Sequence, residues 1–172
     1  MLGCLPMTTA KKRGSRKRTN ESGPRELRPI GVLRSRIKER SKAPKQGSEG
    51  APDAWLEVRP SVAQALDGLA VGDEVIVLTW LHRARRDTLK VHPRSDPSRP
   101  LTGVFATRSP DRPNPIGLHQ VTVRNISKNR LRIGPIEAID GTPVIDIKPV
   151  VCEIQKGNRA ARSTTLAMGG LV

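Results

Sequence analysis

The stretch Val75-Ile-Val-Leu-Thr-Trp-Leu81 is the strongest apolar run in the chain. It is rich in β-branched residues, follows closely after Gly72, and is too short for a buried helix. We therefore predict that these residues form a central strand of the fold, and that the strand ends at His82.

Strand candidates recur on the C-terminal side of this run, with turn residues between them. They are 103–107, 118–123, 131–133, 136–139, 144–147 and 150–154. Residues 125–129 and 140–143 carry the turn signals. This repeated pattern of short strands and turns predicts an antiparallel sheet that curls toward a barrel.

The N-terminal side offers two further strand candidates, 27–33 and 55–58. After Pro60, apolar residues at helical spacing predict a helix of about two turns with Ser61 as its N-cap, ended by Gly68 and Gly72. The predicted fold class is mainly β: a single small β-barrel-like antiparallel sheet domain with one or two short helices.

The positive charge of the chain is concentrated near its N-terminus. The 172 residues carry a formal charge of +15, and residues 1–50 hold 14 basic and 4 acidic side chains. Residues 11–18 contain almost no apolar side chains, so we predict a disordered basic arm over 1–24 that captures a polyanion electrostatically. The barrel domain is then expected over 25–156 and a C-terminal tail over 157–172.

Several protein classes are disfavoured. No apolar segment approaches the length of a membrane span, so we expect a cytoplasmic protein with no membrane partner. Nucleotide-binding glycine motifs and metal-binding cysteine or histidine spacings are absent, so no metal is predicted. The three histidines, His82, His92 and His119, occupy unrelated local settings, and Cys152 is interpreted as a core residue.

Two segments carry more polar chemistry than composition alone explains. The first, Gly103–Gly117, has a loop stiffened by three prolines, which suits a preorganised site. Its polar side chains are Arg108, Ser109, Arg112 and Asn114. In the second, Asp140-Gly-Thr-Pro143 predicts a tight turn. Beyond it Asp146 and Lys148 share one face of a strand and are either binding groups in a cavity or an exposed ion pair.

These segments, GVFATRSPDRPNPIG and DGTPVIDIKP, resemble the signature segments of the TsaA-like (TrmO) family. The resemblance extends from Arg28-Pro-Ile-Gly-Val-Leu-Arg-Ser35 through Ile37-Lys-Glu-Arg40 and Pro44-Lys-Gln46 to Pro149. It implies a β-barrel enzyme that uses S-adenosyl-L-methionine to methylate N6 of threonylcarbamoyladenosine beside the tRNA anticodon. It also implies a homodimer with the cofactor cleft near its interface.

The resemblance places cofactor contacts on matching positions of this sequence. They are Pro44, Lys45, Gln46, Leu81, His82, Arg108, Ile116, Asp140, Gly141, Thr142 and Pro143. Among these, Leu81 and Ile116 would supply apolar walls, and Arg108 or the Thr142 backbone would hold the cofactor carboxylate. His82 and Asp140 are the hypothetical catalytic bases.

RNA contacts are expected from the basic loop that follows the central strand and from the two signature segments. The candidate residues are Arg83, Arg85, Arg86, Arg112, Asn114 and Lys148. A base could stack on Trp55, Trp80 or Phe105, although core packing is the favoured interpretation of these rings.

Two alternatives remain open at this stage. One is a non-catalytic RNA-binding barrel, which the replacement of the family's usual arginine by Lys45 slightly favours. The other is a methyltransferase that acts on another RNA or on a small metabolite.

Overall fold

The computed structural model of the protein describes residues 26–151. The predicted basic arm, the C-terminal tail and Cys152 lie outside this range. Eight strands occur in it: β1 (Gly31–Arg34), β2 (Ala54–Val58), β3 (Glu74–Trp80), β4 (Lys90–Val91), β5 (Thr102–Gly103), β6 (Ile116–Ser127), β7 (Arg130–Gly134) and β8 (Pro143–Pro149). Six of them close into an antiparallel barrel in the order β1-β2-β7-β6-β3-β8, and β4 pairs with β5 alone. The mainly β, barrel-like fold class is confirmed.

Strand β3 lies centrally in the sheet, as its sequence predicts. It pairs with β6 on one side and β8 on the other. Val75, Val77 and Thr79 point into the barrel and are fully buried, whereas Ile76 and Leu78 alternate with them on the outer surface. The apolar run Val75–Leu81 is continuous in the sequence because the outward-facing residues of β3 are apolar as well.

The barrel interior is filled by branched aliphatic side chains from all six strands and from the segment after β7. Its fully buried members include Leu33, Leu56, Val75, Val77, Val123, Leu131, Ile133, Ile136 and Val144. Alternate residues of each strand face inward, so one small domain excludes water from a continuous core.

Several local predictions are wrong in detail. Residues 103–107 form the end of β5 and a 3-10 turn (Val104–Ala106) instead of a strand. Residues 136–139 are unpaired, because Pro135 lacks an N–H and Ile136 N donates to Pro52 O in a loop. The expected 125–129 turn is reduced to two residues, since β6 continues to Ser127.

The predicted helix occurs as a 3-10 helix (Pro60–Leu66) whose N-cap is Arg59, so Ser61 is not the cap. Pro60 occupies the first turn, where its missing N–H costs nothing. Gly68 and Gly72 follow it with φ of +94° and +98°. None of the helical segments within 26–151 has the length and hydropathy needed to cross a membrane.

Strand directions bring the long connections to one end of the barrel. Strands β1, β3 and β7 end there, while β2, β6 and β8 begin there. The connections 35–53, 81–115 and 135–142 therefore emerge side by side. We call this the loop end of the barrel. The predicted site segments 44–46, 81–86, 108–116 and 140–143 belong to it or border it, whereas Lys148 pairs with Ile76 toward the other end.

Candidate active site

The connection 35–53 holds the other two connections of the loop end in place. Lys38 Nζ lies 2.9 Å from Asp140 Oδ2, and Arg83 donates to the Lys38 carbonyl oxygen at 3.3 Å. Farther along, Arg40 Nη2 lies 2.6 Å from Asp111 Oδ2. The segments around His82, Asp111 and Asp140, which are far apart in sequence, are thereby brought together.

The Asp140 carboxylate is anchored from two sides. Its Oδ1 accepts a hydrogen bond from Ser35 N at 2.9 Å, and its Oδ2 pairs with Lys38. The hydrogen bond from Lys38 lowers the pKa of Asp140, partial burial opposes this effect, and the Ser35 N–H adds to the lowering. Asp140 is therefore an ionised acceptor, which makes it a weak base but suits it to a hydroxyl or ammonium group of a ligand.

The turn after Asp140 is formed as predicted, but the backbone N–H groups of Gly141 and Thr142 already donate hydrogen bonds within the protein. Gly141 adopts φ +76°, and its N–H donates to Leu33 O at 2.8 Å. Thr142 is fully buried, and both its N–H and its hydroxyl donate to Ile139 O. The Thr142 N–H is already used within the turn, so of the two groups expected to hold an anion the geometry favours Arg108.

His82 lies just beyond β3 at the loop end. Its Nδ1 is buried, and within residues 26–151 this atom has no hydrogen-bond partner. Burial lowers the pKa of His82 from its ordinary value of 6.5, and the charge of Arg83 lowers it further. The ring is therefore neutral at pH 7 and carries an unsatisfied nitrogen, which is a feature typical of a ligand or reaction site.

Leu81 and Ile116 stand at the adjoining ends of β3 and β6. Leu81 N donates to Pro115 O at 2.8 Å, and its side chain packs near Gly117. Ile116 is 44% exposed on the outer rim of the barrel. Leu81 therefore lies toward the barrel interior with Thr79 and His119, and Ile116 lies on the outer surface opposite Trp80.

The remaining expected cofactor residues come from two loops. The segment 44–46 is half-buried at Pro44 and exposed at Lys45 and Gln46. Gly47, the next residue, packs against Pro135. A Cβ at Gly47 would lie 2.8 Å from the Pro135 oxygen. Arg108 is exposed, so its guanidinium is free to meet an anion.

A comparison with protein families now adds to this geometry. Residues 32–156 match the tRNA-methyltransferase O N-terminal domain. This chain belongs to that family. A probable S-adenosyl-L-methionine-binding protein of Methanothermobacter thermautotrophicus is 45% identical over 123 residues, covering 72% of this chain and 88% of the relative. An S-adenosyl-L-methionine-binding protein of Archaeoglobus fulgidus is 40% identical over 133 residues, covering 77% and 94%.

Solved structures of the tRNA-methyltransferase O family share the fold. The crystal structure of TrmO from Pseudomonas aeruginosa superposes with a TM-score of 0.60 at 32% identity. The match covers 83% of this chain and 63% of that one, so the chain spans less than two thirds of the solved relative. A further TrmO crystal structure gives a TM-score of 0.62 at 34% identity.

One polar cluster of this family member is not apparent from sequence reasoning. His119 is buried inside the barrel, its Nε2 lies 2.9 Å from Thr79 Oγ1, and its Nδ1 lies 2.9 Å from Glu137 Oε1. Burial raises the pKa of Glu137, but the hydrogen bond and charge of His119, with the charge of Arg108, outweigh burial and lower it. The available signal was the position of His119, which alternates with the inward-facing Val121.

The expected RNA-binding residues have different surroundings. The Arg112 guanidinium donates to the backbone oxygens of Ser109, Val104 and Thr107 at 2.6–3.0 Å, so it braces its own loop. Asn114 is exposed, and its backbone oxygen accepts from Ile116 N. This loop is stiff because both the prolines and Arg112 hold it.

The basic residues after β3 and in β8 lie at the surface. Arg83 and Arg85 are exposed, and Arg86 stands 5.2 Å above the Trp80 ring. Lys148 pairs with Asp146 at 2.8 Å with both side chains exposed, which favours the surface ion-pair interpretation.

The core interpretation of the aromatic rings is wrong for Phe105, which is 82% exposed. The two tryptophans are half-buried on the outer surface of the barrel instead of inside it. Across residues 26–151, no three His, Cys, Asp or Glu side chains are grouped closely enough for a metal ion.

Proposed function

We propose that this protein is an S-adenosyl-L-methionine-dependent methyltransferase that methylates N6 of threonylcarbamoyladenosine next to the anticodon of tRNA. The observation that carries the proposal is the convergence of the signature segments at the loop end around His82, whose buried Nδ1 lacks a partner within the described residues. Membership of the tRNA-methyltransferase O family and the names of the relatives support the choice of cofactor and substrate.

The donor set of the loop end fits S-adenosyl-L-methionine. The Asp140 carboxylate would accept from the ribose hydroxyls or the amino group, and Arg108 would pair with the carboxylate. Leu81 and Ile116 would contact the apolar parts. The bound cofactor supplies an electrophilic methyl group next to a good leaving group.

The protein's own task is to orient the acceptor nitrogen and remove its proton. His82 would take the N6 proton, because its imidazole is neutral at pH 7. Asp140 is the poorer base, because Lys38 and the Ser35 N–H stabilise its ionised form. Positioning of the two substrates would supply much of the remaining rate.

Activity can be tested directly with purified full-length protein. We expect transfer of a labelled methyl group to tRNA that carries threonylcarbamoyladenosine, and no transfer to the same tRNA prepared without that modification. Nucleoside mass spectrometry identifies the product. Methylation of both tRNAs, or of another nucleotide, would show that the proposed acceptor is incorrect, and absence of cofactor binding in calorimetry would favour a non-catalytic barrel.

We further propose that the enzyme is a homodimer joined through the outer surface of β3 and β6. Leu78 lies opposite Leu118 and Trp80 lies opposite Ile116 across these strands. Leu118 is 48% exposed, so this face presents apolar side chains to solvent in the single chain. Ile116 belongs both to this face and to the expected cofactor site, which supports a cleft completed near the dimer interface.

Substitution of Leu118 by aspartate tests the dimer. We expect the dissociation constant to rise by roughly 10²-fold or more, because a two-fold interface buries the new charge twice. Sedimentation velocity measures the monomer fraction. Val62→Asp is the matched control, since Val62 is a 38% exposed apolar residue in the Pro60–Leu66 helix, outside this face. Equal behaviour of the two variants would argue against this interface.

A further inference from the structure

The outer surface of β1, β2 and β7 carries three side chains in one row. Trp55 of β2 lies opposite Arg34 of β1 and opposite Arg132 of β7. Trp55 is half-buried, whereas the two arginine side chains are 54% and 53% exposed. We call these three residues the arginine–tryptophan row.

A further guanidinium and a carboxylate support the row. Arg130 Cζ lies 4.8 Å from the centroid of the Trp55 ring, within the range of a cation–π interaction. Glu57 accepts from Arg34 Nε at 2.8 Å and lies 3.5 Å from Arg130 Nε. These two contacts each engage a single Nε, so the other N–H groups of Arg34 and Arg130 remain available as donors, whereas Arg132 Nη2 lies 3.2 Å from Asp53 Oδ2.

A cleft of about 690 Å³ links the row to the candidate active site. Its wall includes all three members of the row and continues over Arg36 and Lys38 to Asp140. The charged side chains that line the cleft are four cations, Arg34, Arg36, Lys38 and Arg132, and two carboxylates, Asp53 and Asp140, and the Trp55 ring is the aromatic surface within it. A ligand lying in the cleft would therefore meet one flat ring, several positive charges and the anchored turn at Asp140.

We infer that the arginine–tryptophan row and its cleft bind a single-stranded segment of the RNA substrate beside the target nucleotide. A flat ring flanked by guanidinium groups matches the alternation of bases and phosphates in such a strand. Choosing tRNA as this RNA rests on the proposed function. Trp55, at the centre of the row, lies on β2, which is opposite β3 in the barrel order, so both copies of a dimer joined through β3 and β6 would expose its ring.

The inference is tested by the affinity of full-length variants for fluorescein-labelled tRNA. Trp55→Leu should weaken binding by about 5- to 150-fold, the range expected for loss of one base-stacking contact, and Trp55→Phe should restore most of it. Arg132→Gln should lower the slope of log affinity against log salt by about 1. Arg124→Gln is the charge control, because Arg124 is exposed on β6 outside the row.

Thermal unfolding and calorimetric titration with S-adenosyl-L-methionine check that the variants are folded and keep their cofactor affinity. Wild-type tRNA affinity in Trp55→Leu, or equal losses in the leucine and phenylalanine variants, would overturn the inference. If Trp55→Leu weakens RNA binding but the wild-type protein methylates no tRNA, the inference stands and the proposed function fails. If the wild-type protein methylates tRNA and Trp55→Leu binds normally, only the inference fails.

Discussion

His82→Gln is expected to slow methyl transfer in a single turnover by about 10²- to 10⁴-fold, the usual contribution of a general base. Burial lowers the pKa of His82 below its ordinary 6.5, so the wild-type ring is neutral at pH 7. The wild-type rate should therefore be constant at neutral pH and fall as the pH drops through this lowered pKa. Rates measured between about pH 5 and pH 8 should show this acid limb for the wild type and none for His82→Gln.

Asp140→Asn distinguishes the two hypothetical bases. The Asp140 carboxylate is held ionised by Lys38 and by the Ser35 N–H, so it is not the group that titrates in this pH range. We expect the asparagine variant to bind the cofactor more weakly but to keep the acid limb. An acid limb that survives in His82→Gln and disappears in Asp140→Asn would show that Asp140, and not His82, is the general base.

Gly117→Ala is expected to destabilise the barrel by about 2–4 kcal/mol, because it combines overpacking with the loss of a buried hydrogen bond. A Cβ at Gly117 would lie 2.4 Å from Thr79 Oγ1 and 2.6 Å from His119 Nε2. The two side chains that form the buried hydrogen bond must separate to admit it. At about 4 °C per kcal/mol, calorimetry should show the midpoint of unfolding falling by roughly 8–16 °C.

Gly103→Ala is the control for this substitution. No atom lies within 4 Å of a Cβ built at Gly103, and its φ is −60°, which any residue can adopt. Its stability should stay within about 0.5 kcal/mol of the wild type. Equal midpoints for both alanine variants would mean that the interior around His119 has room to spare, contrary to the contacts described above.

Sequence patterns were sufficient for the strands whose inward residues are uniformly apolar. Val75–Leu81 and 118–123 were placed correctly because β-branched side chains and flanking turns agree there. Residues 136–139 have the same alternation of burial as a strand but are not paired with a neighbouring strand. Whether a segment pairs depends on which other segments of the chain lie next to it in the fold. The local alternation of apolar and polar residues does not encode that information.

The candidate site was predictable only in part. Its segments could be named from the signature motifs, yet the contacts that assemble them, such as Lys38 with Asp140, join residues about a hundred positions apart. The contact between the buried His119 and the partly buried Glu137 was missed because the two residues are far apart in the sequence and each follows apolar neighbours. The partner of a polar residue in an apolar stretch can be identified only from the fold, which shows which second polar group faces it.

Closure of the barrel has a consequence for the folding kinetics of the chain. The seam is formed by β1 and β8, where Gly31 pairs with Val144. During synthesis, β1 must wait until nearly the whole domain has left the ribosome before it finds this partner. Such a high contact order predicts slow folding. Until β8 has been synthesised, the nascent chain has unpaired strand edges, and we expect it to depend on chaperones or on rapid translation of β8.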